Sequence, residues 1–335
     1  MPRPVEEIMS DSHLAWGVLG AARIAEEQVI PAIRRSGAGD VVAVSSASGR
    51  APGYARRLGI GRAYDSHEEL LADAGVDAVY VALPNTEHAA WVERAAAAGK
   101  HVLCEKPMVM GPAQLEGVER AAEAAGVVVA EAFMYRHHPQ LETLRGLCSE
   151  GGLGDLVALE ARLHFDLDRR DGADDIRLDP SLGGGSLRDL GCYCVDLFGM
   201  LTGAEPDEVS TVSSRDRPDG VETRLAAALR YGPVLATFDC SFDAPFRNSA
   251  TVIGTRGAVT LTDVFRADRH GGVATLVVED ERGRRELSCE GDQYAEQVRA
   301  FARQVARGER DEPSWELTGR TVRTVSRLAA TIAPT

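Results

Sequence analysis

The stretch Gly17-Val18-Leu19-Gly20-Ala21-Ala22-Arg23-Ile24-Ala25 decides the fold of the first part of the chain. It ends a short apolar run, Leu14 to Gly20, which predicts a buried strand, and it opens a segment of helical periodicity from Ala22 to Ser36. A strand, a tight turn and a helix in this order predict a turn that binds the phosphates of a dinucleotide. The three small-residue positions of the pattern G-x-G-x-x-A are taken by Gly20, Ala22 and Ala25.

Ala22 is a departure from this pattern, because its methyl group narrows the space through which the backbone approaches a pyrophosphate. The alternative interpretation is that the small residues only allow the helix to begin close to the strand, without binding a ligand. The context of a preceding strand and a following helix favours dinucleotide binding.

The second predicted strand, Val41 to Ser46, indicates which dinucleotide is preferred. An acid commonly ends this strand when the ligand is NAD, because a carboxylate accepts a hydrogen bond from the ribose 2′-hydroxyl. This chain has Ser46, Ser48 and Arg50 there and no acid. Hydroxyls and a guanidinium can hold a 2′-phosphate, so NADP(H) is favoured, with NAD(H) as the alternative. Arg50 could also be a solvated residue of the following helix.

The order of predicted elements defines the fold class as α/β. Apolar strands alternate with helices as far as about residue 130, which predicts a parallel sheet covered on both faces. Between about Glu208 and Glu290 successive strands predict a large, mostly antiparallel open sheet in a C-terminal α+β domain. The predicted organisation is a flexible tail (1–13), a Rossmann dinucleotide-binding domain (14–132), an α/β substrate and oligomerisation domain (133–315) and a C-terminal helix that packs back on the body (316–335).

Composition excludes several classes of partner. The 335 residues carry a formal net charge of −14 at a pI near 5.1, which argues against nucleic acid. No apolar stretch is long enough to span a membrane, and the first residues do not resemble a signal peptide. Six cysteines are too few for a disulfide scaffold, so we expect reduced thiols and a cytoplasmic location. Cysteine and histidine spacings predict no metal site.

Four further motifs are more specific than the phosphate turn. They are Pro84-Asn85-Thr86-Glu87-His88, Glu105-Lys106-Pro107, Glu131-Ala132-Phe133-Met134-Tyr135-Arg136-His137-His138-Pro139 and Gly183-Gly184-Gly185-Ser186-Leu187-Arg188-Asp189-Leu190-Gly191-Cys192-Tyr193. In this order and spacing the chain resembles the glucose-fructose oxidoreductase / inositol dehydrogenase (Gfo/Idh/MocA) family over about residues 14 to 333. It looks closest to the branch of sugar 3-ketoreductases, xylose dehydrogenases and dihydrodiol dehydrogenases. Tyr193 stands where inositol-dehydrogenase-like members have histidine, which argues against the inositol branch.

The resemblance also implies roles for individual residues. The residues implied to contact the cofactor, beyond Ser46, Ser48 and Arg50, are Gly20, Ala22, Arg23, Ile24, Leu83, Pro84, Asn85, His88, Glu105, Lys106 and Pro107. The residues implied to bind substrate are Met134, Arg136, His138 and Tyr193, and those implied in catalysis are Lys106, Tyr193 and Asp189. Arg136 could instead pair with Glu131, and His138 could be structural.

The chemistry independently needs these residue types. Hydride transfer between a nicotinamide and a carbinol carbon requires a proton to move to or from the oxygen. Tyr193 can donate a phenolic proton if a nearby cation lowers its pKa, and Lys106 is the natural cation or, alternatively, the acid itself. Asp189 lies four residues before Tyr193, so in a helix it shares a face with it and can orient the phenol or a substrate hydroxyl.

The predicted function is therefore an NADP(H)-dependent oxidoreductase that interconverts a secondary alcohol and a ketone on a sugar or cyclic polyol. A nucleotide-linked deoxysugar 3-ketoreductase is one form of this activity. Alternatives are an oxidative sugar or trans-dihydrodiol dehydrogenase, a C=N reductase on the same fold and, more remotely, a non-catalytic cofactor sensor. We expect a homodimer or homotetramer that assembles through the C-terminal sheet, because a large sheet with one uncovered face must bury it.

Overall fold

The computed structural model describes residues 13–149, 151–167 and 175–332. The described chain divides into two compact units. The first contains the residues up to Met134 together with Tyr294–Trp315, and the second contains Tyr135–Gln293 together with the residues from Glu316 onward. Residues 1–12 of the predicted tail, and residues 150, 168–174 and 333–335, lie outside the described residues.

The first unit is built on a six-stranded sheet in which every neighbouring pair of strands is parallel. Its strand order, β3-β2-β1-β4-β5-β6, is that of a doubly wound dinucleotide-binding fold, with the change of winding direction between β1 and β4. The strands are β1 Leu14–Leu19, β2 Gly39–Ser45, β3 Arg62–Tyr64, β4 Ala78–Val81, β5 His101–Cys104 and β6 Val129–Glu131.

The helices of this sheet follow the predicted alternation. They are α1 Ile30–Ser36, α2 Ala51–Leu58, α3 His67–Leu71, α4 Asn85–Ala97 and α5 Pro112–Ala125. Two details differ from the sequence analysis. The helix predicted to run from Ala22 contains a π-helical turn, Ala25–Val29, and β3 was not predicted, because three residues at a sheet edge carry no hydrophobic periodicity.

The second unit is built on an eight-stranded sheet of order β14-β13-β12-β11-β7-β10-β9-β8. Its pairs are antiparallel except for β7 and β10, which run parallel. The strands are β7 Leu156–Asp166, β8 Glu208–Arg215, β9 Glu222–Tyr231, β10 Val234–Ser241, β11 Asp243–Gly254, β12 Gly257–Leu261, β13 Val273–Asp280 and β14 Gly283–Glu290. The predicted fold class, a parallel Rossmann sheet followed by a mostly antiparallel one, is confirmed.

Two helices of the second unit interrupt the strands. Helix α6, Pro139–Ser149, was not predicted, and α7, Cys192–Thr202, continues a π-helical turn over Leu187–Gly191. The chain then forms α8, Gln293–Arg307, and α9, Glu312–Thr331. Among the described residues, no helix is long and apolar enough to cross a membrane.

The compact units divide at residue 315, as the predicted organisation does, but the segment 294–315, placed in the substrate domain from the sequence, lies in the first unit. The ring of Phe301 packs against Trp16 on β1 at a centroid distance of 5.2 Å. Arg299 donates to the carbonyl of Ser36 over 3.1 Å, and the Trp315 indole donates to Glu119 over 2.9 Å. These contacts join the segment 294–315 to β1, α1 and α5 of the first unit.

Candidate active site

Gly20 forms a turn at the carboxyl end of β1 that other residues would obstruct. Its φ is +102°, a conformation that L side chains rarely adopt, and a Cβ there would lie 2.4 Å from the Ala82 carbonyl oxygen. The amide of Gly20 donates to Ser45 over 3.0 Å, and Ala82 donates to Leu19 over 2.9 Å. The ends of β1, β2 and β4 therefore converge on a glycine, as a phosphate-binding turn requires.

The residues after Gly20 start the helix that such a turn needs. Ala25 is fully buried, which fits the close helix–strand contact expected of the third small residue. The carbonyl of Ala22 is fixed from outside the turn, since it accepts from the Tyr54 hydroxyl over 3.0 Å. Arg23 is exposed and lies 3.7 Å from Glu27, so its side chain is available at the surface beside the turn, as Ile24 is in part.

Ser46, Ser48 and Arg50 form one hydrogen-bonded cluster after β2. The Ser46 and Ser48 hydroxyls lie 3.0 Å apart, and Arg50 Nε donates to Ser48 Oγ over 2.8 Å. Ser46 is buried and Arg50 is exposed, so the cluster presents its charge outward. Two hydroxyls and a guanidinium at this sheet edge fit the phosphate of a 2′-phosphorylated ribose.

His88 links two segments that follow neighbouring strands. Its Nε2 lies 2.8 Å from the Leu83 carbonyl oxygen and its Nδ1 lies 2.9 Å from the Pro107 carbonyl oxygen. Burial lowers the pKa of this imidazole, and Lys106 lowers it further. A neutral ring carries one N–H and donates to one carbonyl at a time. His88 therefore holds Leu83 and Pro107 close together, and both of its ring nitrogens face backbone carbonyl oxygens.

The segment Glu105-Lys106-Pro107 follows β5 and is held from two sides. The Tyr80 hydroxyl donates to the Glu105 carboxylate, and the Met108 amide donates to Glu131 over 2.9 Å. The bond between Lys106 and Pro107 is a cis peptide. Pro84 and Asn85 start α4 at the end of the adjacent strand, so both predicted cofactor segments meet one sheet edge.

In the second unit, Asp189 and Tyr193 lie on one continuous helical segment, as the sequence analysis assumed. Asp189 is paired with Arg177, whose Nε lies 3.1 Å from the carboxylate. Arg177 also pairs with Asp175 over 3.1 Å, and the two carboxylates, Asp189 above all, raise its pKa. The adjacent guanidinium of Arg177 favours the carboxylate form of Asp189. A carboxylate suits an orienting role better than that of a proton donor.

Glu222 fixes the beginning of the same helical segment. Its carboxylate accepts from the Leu187 amide over 3.0 Å and is buried, and burial raises its pKa. Gly185, with a φ of +115°, packs against this carboxylate so closely that a Cβ would lie 2.5 Å from Oε1. Gly185 therefore allows the close packing of a buried carboxyl group.

Two residues predicted to contact substrate are hydrogen-bonded to other groups of the second unit. Arg136 is bound to Asp196, with Nε 3.0 Å from Oδ1, and its side chain is 7% exposed. His138 is also buried: its Nε2 lies 2.9 Å from the Gly272 carbonyl, and its Nδ1 accepts from the Gln140 amide. The polar atoms of both residues are engaged inside the second unit. Within the second unit, the charge partner of Arg136 is Asp196. Met134 is buried at the start of a 3-10 turn.

Sequence reasoning missed Arg177, Glu222 and Asp196. The signal for Asp196 was available, because one carboxylate within the apolar run Cys192 to Met200 must find a cation or donors. The sequence around Glu222 and around Arg177 contains other charged residues, so neither residue stands out as a buried charge. Among the described residues, no group of three or more histidine, cysteine or acidic side chains is arranged to hold a metal ion.

Fold and site define a dinucleotide-dependent oxidoreductase with a Rossmann unit. The model of an oxidoreductase family with an NAD-binding Rossmann fold matches residues 14–133, and the model of the GFO/IDH/MocA C-terminal domain matches residues 141–260. The chain belongs to this GFO/IDH/MocA oxidoreductase family, as its resemblance implied.

Relatives of the chain are named for activities on different substrates. The chain is 38% identical to D-xylose 1-dehydrogenase (NADP(+)) 2 of Haloferax volcanii, covering 94% of this chain and 96% of the relative. It is 32% identical to dTDP-3,4-didehydro-2,6-dideoxy-alpha-D-glucose 3-reductase of Actinomadura kijaniata, covering 88% of each. A structure of a 3-ketoreductase of that organism, in complex with NADP and TDP-benzene, superimposes with a TM-score of 0.88 at 29% identity, covering 96% of this chain and 98% of the other.

Proposed function

We propose that the protein is an NADP(H)-dependent oxidoreductase that interconverts a secondary alcohol and a ketone on a sugar or cyclic polyol. The observation that carries the cofactor preference is the cluster of Ser46, Ser48 and Arg50, in which Arg50 Nε lies 2.8 Å from the Ser48 hydroxyl. A ribose 2′-phosphate would accept hydrogen bonds from all three side chains. The NADP named for the Haloferax dehydrogenase and for the Actinomadura reductase supports the same preference.

Proton transfer is assigned to Tyr193, with Lys106 as the alternative acid. When bound, the nicotinamide supplies or accepts the hydride. Tyr193 holds the proton that the substrate oxygen gains in reduction or loses in oxidation. Asp189, held by Arg177, orients the phenol or a neighbouring substrate hydroxyl. Solved structures of the Actinomadura enzyme include forms in which one lysine or one tyrosine is replaced, the two residue types assigned here.

Turnover on a defined panel tests the proposal. Purified protein is assayed with NADP⁺ and with NAD⁺ on D-xylose, D-glucose and trans-1,2-dihydrobenzene-1,2-diol, and with NADPH on a dTDP-linked 3-ketodeoxysugar. We expect turnover of at least one of these compounds and a preference for the phosphorylated cofactor. Turnover of none, with NADPH bound tightly, would favour the cofactor-sensing alternative, and reduction of cyclic imines alone would favour the C=N reductase.

We also propose that the protein acts in the cytoplasm as a homodimer or homotetramer. All six cysteines are free thiols, which suits a reducing compartment. One face of the second sheet exposes Val212 by 78% and Leu235 by 59%, on strands joined in register through β9. Light scattering during gel filtration gives the mass. Replacing both residues with glutamate would yield monomers if this face is the interface and leave the mass unchanged if it is not.

A further inference from the structure

Three aromatic rings of the second unit pack against one another around Tyr193. The Tyr193 ring centroid lies 5.8 Å from that of Tyr135 and 5.6 Å from that of Phe265. The Tyr135 and Phe265 rings are themselves 5.2 Å apart in an edge-on arrangement. Each ring contacts the other two, and all three are buried. The orientation of the Tyr193 phenol therefore depends on where its two aromatic neighbours are held.

Buried polar groups fix both of these neighbours. The Tyr135 hydroxyl donates to Oδ1 of Asp196 over 2.5 Å. The backbone of Phe265 is held by two buried amide side chains: its N–H donates to Asn248 over 2.9 Å and its carbonyl accepts from Gln293 over 3.3 Å. The rings are thus anchored by directional bonds in addition to apolar contact.

Asp196 is the charged centre of this arrangement. It is fully buried on α7, three residues after Tyr193. Arg136 donates to both of its oxygens, and the Thr321 hydroxyl on α9 donates to Oδ2 over 2.9 Å. A buried carboxylate without a cation is strongly disfavoured, so Arg136 neutralises Asp196 within hydrogen-bond distance.

We propose that Asp196 is a positioning residue for Tyr193: it anchors the ring of Tyr135 against the phenol, while Arg136 keeps the pair electrically neutral. This inference rests on the proposed function, in which Tyr193 exchanges the proton. The role of Arg136 is then charge compensation beside the reacting group. Charged and titratable groups on the segments that carry the three rings include Tyr135, Arg136, His137, Asp189, Asp196, Arg266 and Asp268.

Two substitutions that each remove one hydroxyl donor to the Asp196 carboxylate separate positioning from stability. Tyr135→Phe and Thr321→Val each remove one hydrogen bond to Asp196 and nearly keep the shape of the side chain. We expect similar small losses in Tm. Only Tyr135→Phe should lower kcat, by about fivefold, for the compound of the panel that the wild type turns over, with the Kd for NADPH unchanged. Equal kcat values for Tyr135→Phe and the wild type would overturn the inference.

Charge variants supply a readout that a merely structural role would not move. Asp196→Asn leaves the Arg136 cation uncompensated, which favours the phenolate form of Tyr193. The apparent pKa at which the rate rises with pH should therefore fall by about one unit. Arg136→Met leaves the Asp196 carboxylate uncompensated and should raise this apparent pKa by a similar amount. The ultraviolet absorbance of the phenolate in the free protein, taken as the difference from Tyr193→Phe, gives the same two shifts without turnover. Shifts in one direction, or none, contradict the inference.

Tyr193→Phe measured in parallel distinguishes this inference from the proposed function. If Tyr193→Phe loses turnover while Tyr135→Phe and the charge variants behave as wild type, the positioning role is wrong and the proton role of Tyr193 stands. If Tyr193→Phe keeps full turnover, the proton role is wrong and the positioning inference fails with it.

Discussion

The guanidinium of Arg50 donates through Nε to the hydroxyl of Ser48 over 2.8 Å, and that hydroxyl is 3.0 Å from Ser46. This is a preformed set of donors directly after β2, at the sheet edge where a dinucleotide ribose binds. The relationship gives the first prediction, which concerns the choice between two cofactors.

Arg50→Leu should weaken NADPH binding by about ten- to a hundredfold, because it removes charge-assisted hydrogen bonds to the 2′-phosphate. NADH binding should stay the same. Titrations followed by nicotinamide fluorescence measure both. Arg56→Leu is the matched control, since Arg56 is an exposed arginine on the same helix. Equal losses for NADPH and NADH in Arg50→Leu would contradict the assignment of the phosphate site.

Gly20→Ala should abolish measurable dinucleotide binding and lower Tm, because the added Cβ would lie 2.4 Å from the Ala82 carbonyl oxygen. Gly37→Ala is the control: its φ is +70°, but nothing lies within 4 Å of the added carbon. That variant should lose about 1 kcal/mol of stability and bind NADPH normally. Normal NADPH binding by Gly20→Ala would show that the phosphate turn lies elsewhere.

Acid should destabilise the fold through His88. Its pKa is lowered from 6.5 in the native state by burial, so the unfolded chain takes up the proton first. The free energy of unfolding should therefore fall as the pH drops below about 6.5, by at most about 1.4 kcal/mol per unit for this one proton. Urea unfolding across this range measures the slope. His88→Gln should make it shallower, whereas His270→Gln, at an exposed histidine, should leave it nearly as steep.

Tyr193→Phe should lower kcat by about a hundredfold or more, because it removes the proton that the substrate oxygen exchanges, and it should leave the Kd for NADPH within a few fold. Lys106→Met tests the alternative acid under the same conditions. If Lys106→Met loses more kcat than Tyr193→Phe, and the pH dependence of kcat is unchanged in Tyr193→Phe, the proton role belongs to Lys106. Solvent-isotope and pH dependence of kcat separate the two cases.

The sequence predicted five of the six strands of the first sheet, because their residues are mostly buried and therefore form apolar runs, as Val76 to Leu83 does. It did not predict β3, which has no fully buried residue. It also predicted the cluster of Ser46, Ser48 and Arg50, since three residues after one strand cannot lie far apart. It failed where partners come from distant parts of the chain. Arg136 and Asp196 are 60 residues apart, and no local pattern specifies that they pair.

The same limit explains the histidines. His88 and His138 stand in motifs that suggest ligand contacts, yet both rings are bound to backbone carbonyls, at Leu83 and Gly272 among others. Sequence shows that a side chain can form hydrogen bonds but not whether the surrounding backbone already uses them. The role of Tyr193, which the fold leaves untested, remains a prediction from its residue type and position.

The packing of Phe301 on Trp16 has a consequence for synthesis on the ribosome. The first core contains β1 and the segment 294–315, which are translated at opposite ends of the chain. The nascent dinucleotide-binding unit therefore lacks the ring that packs on Trp16 until nearly the whole polypeptide has been synthesised. A fragment that stops near residue 134 would carry every strand of its sheet without this part of its core, and we expect it to associate more readily with chaperones and other nascent chains.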